Sequence, residues 1–328
     1  MKAKFFIAFT FVFCLCICGC LNTEFKLFTD NSDPLTEQVI SGTSEKKILI
    51  ITVNGVISDQ PEERLLRQKP SMVQEIVSQL NLARKDKGIK AVVLKINSPG
   101  GSVTASDIIY HEILKFKKET SVKIVVSMMD IAASGGLYIS LPADFILAHP
   151  TTITGSVGVI TFRPDLVGLM DKIGVSVEMD TSGRNKAMGS PFRNSTKEES
   201  AIFQAIIDEM AERFLGLVKK HRNLDDAAME KIATARIFTA SQAKEAGLVD
   251  KTGYLDDALD QARKLADLPD NARIIAYRRT AFPDDNIYNP TSMKGFDPDK
   301  VLIDLGPVSA FGHLPAGFLY LWLPGNSG

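Results

Sequence analysis

Three apolar runs constrain this chain more than any other feature. They are Ile48–Val53, Ala91–Ile96 and Val122–Met128. None of them alternates strictly between apolar and polar residues, as a strand with one wet face does. Near-continuous runs of β-branched and aliphatic residues belong to strands covered on both faces. Between them lie segments with helical spacing. Val73, Ile76, Val77 and Leu80 recur after Ser71 and Gln74, which are spaced as a capping box. Ile108, Ile109, Ile113 and Leu114 recur over about Thr104–Lys118. Covered strands alternating with amphipathic helices predict an α/β chain with parallel sheet covered by helices. A fourth strand is expected at Phe145–Ala148. Ser195 and Glu198 read as a second capping box, opening a long helix that carries Ile202, Ile206, Met210 and Phe214. Shorter helices are expected at Asp225–Thr234, Ser241–Ala246 and Leu255–Leu265. No internal repeat is visible.

The N-terminus reads as an address. Lys2 and Lys4 precede an apolar stretch, Phe5–Gly19, interrupted by Thr10. A bilayer span needs about 20 residues, so the stretch is short for an anchor and suits a signal-peptide core. It ends Ile17-Cys18-Gly19-Cys20, which resembles the bacterial lipobox, with Cys20 as the lipidated first residue of the mature chain. An uncleaved anchor is the alternative. Either places the body in the bacterial cell envelope, facing the periplasm. Leu21 follows the cysteine where an Asp would favour the inner membrane, so the outer one is hinted at and the choice stays open. The division expected is a signal peptide over 1–19, a polar flexible tether over 20–46, the folded body over 47–270, and an irregular C-terminal extension over 271–328. Within that extension Phe318–Leu323 is too short to span a membrane and reads as a docking strand.

Composition and missing motifs exclude several classes. The four cysteines, Cys14, Cys16, Cys18 and Cys20, all lie in the first twenty residues. The body therefore holds no disulfide framework and no cysteine-based metal site. Lys and Arg number 38 against 39 Asp and Glu, so there is no basic field for nucleic acid. No phosphate-binding P-loop, dinucleotide fingerprint or H-E-x-x-H occurs, nor a G-x-S-x-G elbow. The histidines, His111, His149, His221 and His313, are scattered. His149, just after a strand, is the least implausible partner for a serine. No metal or organic cofactor is called for.

What remains is a serine and a lysine among small residues. The third strand runs into Asp130-Ile131-Ala132-Ala133-Ser134-Gly135-Gly136. A serine flanked by Ala and Gly at a strand-to-helix turn is open to a bulky acyl group, and the following N–H groups favour negative charge. The plainer reading makes Ser134 a helix N-cap. Pro99-Gly100-Gly101 ends the preceding strand and lets backbone approach a ligand. Thr154-Gly155-Ser156-Val157-Gly158 is a third small-residue loop. Lys186 sits among Met188, Pro191 and Phe192. A lysine is a base only when neutral, and burial against apolar groups lowers its pKa by up to about 3 units or more. The plainer reading is a solvated loop lysine.

Together these strings are similar to one family. Asn97–Gly101, Asp130–Gly136, Thr154–Val159 and Lys186–Phe192, with Phe238-Thr239-Ala240, Ala243 and Gly247–Asp250, resemble the signal peptide peptidase A family in its short single-repeat form. The resemblance covers about residues 47–265. It implies a Clp-protease/crotonase-like fold, a repeated β-β-α superhelix. It implies a serine protease domain over 47–270 with a Ser–Lys dyad: Ser134 the nucleophile, Lys186 the general base, Ser156 orienting the lysine. It also implies an oxyanion hole from the N–H groups of Gly101 and Gly135, with either glycine of the 100–101 pair as the first donor. The implied partners are cleaved signal peptides and unfolded apolar segments, and a homo-oligomeric ring in which neighbouring protomers share the dyad. Two alternatives stay beside it: a non-catalytic, membrane-tethered ring scaffold that binds peptides, and an acyl-CoA enzyme on the same fold.

Overall fold

The computed structural model describes residues 34–64, 67–282, 284–290 and 317–322. Cys20 and the expected signal peptide lie outside the described residues. The chain divides after Pro34, and everything below concerns Leu35 onward.

The central sheet follows from the apolar runs. In chain order it begins with β1 (Thr36–Ser41) and β2 (Lys47–Asn54). A small hairpin, β3 (Glu62–Arg64) and β4 (Arg67–Lys69), leads to α1 (Met72–Lys85). Then come β5 (Ile89–Ser98), the short β6 (Gly100–Ser102) and α2 (Val103–Thr120). β7 (Lys123–Ala133) runs into α3 (Gly135–Ser140), followed by β8 (Phe145–Ala148), β9 (Ile153–Gly155) and β10 (Ile160–Thr161). Helices α4 (Val167–Ile173), α5 (Lys197–His221) and α6 (Asp226–Ala233) precede β11 (Ile237–Thr239) and α7 (Ala240–Glu245). The described chain closes with β12 (Lys251–Thr252), α8 (Leu255–Leu265), β13 (Arg273–Arg278) and β14 (Phe318–Leu321).

The main sheet has the order β1-β13-β2-β5-β7-β8-β12. From β13 to β12 every neighbouring pair is parallel; β1 runs against β13, and off this path β11 runs against β9. Side chains alternate along each strand, so both faces fill. Leu49, Ile51, Val92, Leu94, Ile124 and Val126 enter one core with α1, α2 and α3. Ile48, Ile50, Ala91, Val93 and Val125 enter a second core under α8. Each such side chain fully buried contributes about 1.5–3 kcal/mol. That two-sided cover is why the sequence runs are continuous rather than alternating.

Two expectations about the chain's ends differ from the structure. Residues 36–41, inside the expected tether, form β1, paired with β13 from Thr36↔Arg278 to Ser41↔Ile274. The segment from 271, expected to be irregular apart from a docking strand at Phe318–Leu323, also supplies β13, which pairs with β2; the expected docking strand is β14, between β6 and β10. The folded body therefore reaches outside 47–270 on both sides. Alternation in Glu37, Val39 and Ser41 is too short to be read as a strand without its partner.

The long helix also starts one residue later than expected. Thr196, not Ser195, is the N-cap: it accepts from the Glu199 N–H at 3.1 Å, and Glu199 accepts from the Thr196 N–H at 2.9 Å. Both spacings satisfy the sequence rule. Arg193 decides between them, because it clasps the Glu199 carboxylate. That guanidinium, with the Thr196 N–H, holds the carboxyl down at about 2.

Candidate active site

Ser134 stands between the end of β7 and the start of α3. Its backbone has φ 52° and ψ −114°, a left-handed setting that costs a non-glycine residue about 1–3 kcal/mol. Two backbone bonds hold it there: Ser134 N–H donates to the Gly155 carbonyl at 2.7 Å, and Tyr138 N–H donates to the Ser134 carbonyl at 2.9 Å. The side chain is fully buried. Its Oγ makes no cap bond and has no hydrogen-bond partner. Ser134 thus holds the N-cap position of α3 without capping it through its side chain. A buried hydroxyl left unpaired costs about 1–3 kcal/mol, so strain and an unmet polar group coincide at one residue.

The glycine turns converge on this point. Gly100 has φ 102°. A Cβ on it would lie 2.7 Å from the Gly135 nitrogen, and one on Gly101 would lie 2.0 Å from the Ile57 carbonyl oxygen. Only glycine lets these backbones approach so closely. The Gly100 N–H is already given to Ser98 Oγ at 3.1 Å. On the Ile57 side the bonds use the Gly100 carbonyl and the Ser102 N–H, so the Gly101 N–H points the other way, toward β14.

Ser156 follows directly from the strand that braces Ser134. β9 is parallel to β7, with Ala133 opposite Gly155. Ser156 turns out of β9 with φ 53° and gives its N–H to the Arg236 carbonyl at 2.8 Å. It is half-buried.

Lys186 is not brought to this cluster within one chain. It sits in a turn closed by its N–H to the Gly183 carbonyl at 2.9 Å, and it is exposed. The apolar wall expected around it stays open, since Phe192 is 40% exposed. Among the described residues, eight of the thirteen exposed large apolar side chains lie between Ile160 and Phe192. Leu169, Ile173, Val175 and Val177 are the most exposed of them. This is a surface that a single chain leaves uncovered.

The deeply buried lysine is a different one. Lys95, on β5, is only 4% exposed. Its ammonium donates to the carbonyls of Ile287 and Asn289, both at 2.8 Å. Burial, reinforced by Arg278, lowers its pKa to about 8. Lys95 alternates with the residues of the first core and so shares the sheet face of Val93 and Val125. Its bonds are spent on segment 284–290, and it serves as a strap for that segment.

An aromatic cluster beside Ser134 escaped the sequence reading. Tyr138, one helical turn after Ser134, stacks on Tyr320 with centroids 4.9 Å apart at 25°. Phe214 packs against both at 4.9 Å. Tyr320 donates its hydroxyl to the Met210 carbonyl at 2.9 Å. Tyr138 donates to Asp107 at 2.6 Å, and Arg213 closes on the same carboxylate at 2.7 Å. Burial first, then the bond to Asp107, pushes the Tyr138 phenol far up. The one sequence signal was the apolar run at 318–323.

Comparison with known proteins now adds the family. The description "Peptidase family S49" matches residues 116–269, and "Clp protease" matches 66–147. A provisionally named signal peptide peptidase SppA of Enterococcus faecium is 39% identical over 253 residues, 77% of this chain and 73% of that protein. The chain belongs to peptidase family S49. As an S49 member it is a serine-type peptidase with a Clp-protease-like α/β fold. A second relative, Protease 4 of Haemophilus influenzae, is 33% identical over 79% of this chain, which spans 41% of that longer protein. Among solved structures, a ClpP1 variant of Listeria monocytogenes is 20% identical with a TM-score of 0.41, over 66% of this chain and 95% of its own. The S49 match takes in Ser134, Ser156 and Lys186; Gly100 and Gly101 fall in the Clp protease match. Among the described residues, no helix is long and apolar enough to cross a membrane.

Proposed function

We propose that this S49 peptidase is an endopeptidase with a Ser134–Lys186 dyad, assembled when copies of the chain form a ring. Neutral Lys186 takes the proton from Ser134 Oγ as the oxygen attacks the scissile carbonyl. The carbonyl oxygen gains charge, which the N–H groups of Gly101 and Gly135 stabilise. Gly101 is preferred over Gly100 because the Gly100 N–H is already engaged by Ser98. Collapse of the intermediate sends the proton from Lys186 to the leaving amine, and water then frees the acyl group from Ser134. Ser156 orients the ammonium.

The observation that carries this reading is the buried, strained, unpartnered Ser134 Oγ between two glycine turns. The uncovered apolar segment around Lys186 supports supply of the base to a neighbouring copy. Substrates are unfolded apolar peptides, including cleaved signal peptides, as the names of the relatives suggest. Cys20, as a lipidated N-terminus, holds the enzyme at the membrane facing the periplasm. The test is hydrolysis of an apolar fluorogenic peptide by the native chain, Ser134→Ala and Lys186→Ala. Both variants should be silent. Activity surviving in either removes that residue from the mechanism, and a native chain with no activity leaves a peptide-binding scaffold.

A further inference from the structure

The two N–H groups assigned to the oxyanion stand at the starts of two different helices. Gly101 is followed by Ser102, which caps α2 by accepting from the Ala105 N–H at 3.4 Å. Gly135 is the first residue of α3. Their mutual placement is therefore set by how α2 and α3 are held together. Near their starts the two helices touch. A Cβ on Gly135 would lie 2.6 Å from Ser106 Oγ, and Ser106 Oγ donates to the Ser102 carbonyl at 2.9 Å. Such packing limits how closely the helices approach, whereas a hydrogen bond also fixes direction.

The directional bond comes one turn further on. Tyr138 donates its hydroxyl to Asp107 Oδ1 on α2 at 2.6 Å. It also gives its backbone N–H to the Ser134 carbonyl. One residue thus grips the strained turn with its main chain and α2 with its side chain. Arg213 of α5 donates to the same Oδ1 at 2.7 Å. The Tyr138 ring is fully buried, and phenylalanine would fill the same space, so the hydroxyl is there for the bond rather than for packing. Nor does Asp107 serve the helix it sits on. The macrodipole favours an acid only within the first turn, and the first turn of α2 holds none. A bond to a carboxylate is short and about twice as strong as one between neutral groups.

We propose that Asp107 and Tyr138 are positioning residues for the oxyanion: their bond locks α3 onto α2, and with it the Gly135 N–H to the Gly101 N–H. The inference rests on Ser134 being the nucleophile and on those two donors. They must meet an oxygen that carries full charge only as the reaction proceeds, and a displacement of about 1 Å at such a point costs on the order of a hundredfold in rate. Arg213 steadies the carboxylate from α5, the helix that follows the Lys186 segment.

The test uses the full chain. Tyr138→Phe removes one oxygen and keeps the ring. Its kcat on an apolar fluorogenic peptide should fall about tenfold or more, the loss of one hydrogen bond to a charged group. KM should stay within about twofold of native, because the interaction acts on the transition state. Labelling of Ser134 by a fluorophosphonate, which also places charge on an oxygen in the oxyanion site, should slow by a similar factor while still going to completion. Asp107→Ala should behave alike, and the double variant Tyr138→Phe/Asp107→Ala should be no slower than Asp107→Ala, since both residues act through one bond. Asp107→Asn keeps an acceptor for the phenol and should recover part of the rate. Native kcat in Tyr138→Phe would overturn the proposal. So would losses that multiply in the double variant, or a loss of activity matched by a smaller fraction of Ser134 open to labelling, which is the mark of a merely loosened fold. Labelling of the native chain separates the two readings. Ser134 labelled natively, with Tyr138→Phe indistinguishable from native, overturns this inference alone; Ser134 unlabelled while Ser134→Ala still cleaves overturns both.

Discussion

Ser134 gives its backbone N–H to the carbonyl of Gly155 at 2.7 Å, and the residue after Gly155 is Ser156. The strained turn at Ser134 is thus fixed by the same strand that delivers the second serine. A lysine held by Ser156 would be placed relative to Ser134 through backbone alone, with no flexible side chain between them.

Ser156→Ala should therefore lower kcat and leave KM near its native value. A hydrogen bond to a charged group is worth about 1.5–3 kcal/mol, which is roughly a ten- to hundredfold loss in rate. Ser156→Thr, which keeps a hydroxyl, should restore part of it. Equal losses in both variants would point to a packing role.

Gly101→Ala should abolish peptide hydrolysis and weaken the fold. The added methyl would sit 2.0 Å from the Ile57 carbonyl oxygen, and that backbone is itself bonded to Gly100 and Ser102. Overpacking typically costs about 1–3 kcal/mol, and a backbone neighbour places this case at the upper end. Urea unfolding measures the stability; unchanged stability with full activity would contradict the geometry.

Lys95 makes a prediction about pH. Its folded pKa is lowered to about 8 from 10.5. Between these values the unfolded chain binds the extra proton, so stability rises with pH across this window. The burden is complete below about pH 8 and is relieved by pH 10.5. Its size is on the order of 3 kcal/mol. Lys95→Met removes this titration while other groups remain common to both proteins. The native chain should gain stability relative to Lys95→Met between pH 8 and 10.5, and parallel pH profiles would refute the assignment.

The parts legible in the sequence were those with local causes. β2, β5 and β7 announce themselves because both faces are covered, and Gly100, Gly101 and Gly135 because only they permit such backbone approach. Ser134 was visible as a serine among small residues, though its unpaired Oγ was not. Lys95 looked like any strand residue, because its partners Ile287 and Asn289 lie nearly 200 positions away. Tyr138 gave no sign of its place beside Ser134, since Tyr320 comes from the far end of the chain. Ser195 and Thr196 both carry a glutamate three residues on, and only the clasp of Arg193 on Glu199 separates them. The neighbours Met188, Pro191 and Phe192 suggested an apolar wall for Lys186, but closeness in sequence does not bury a turn, and both Lys186 and Phe192 are exposed.

The most direct measurement mixes the two inactive proteins, Ser134→Ala and Lys186→Ala, and follows cleavage of an apolar fluorogenic peptide. Each alone should be silent. If Ser134 of one copy works with Lys186 of the next, the mixture recovers part of the native rate. A mixture as silent as its components, while the native chain cleaves, would contradict a dyad shared between copies.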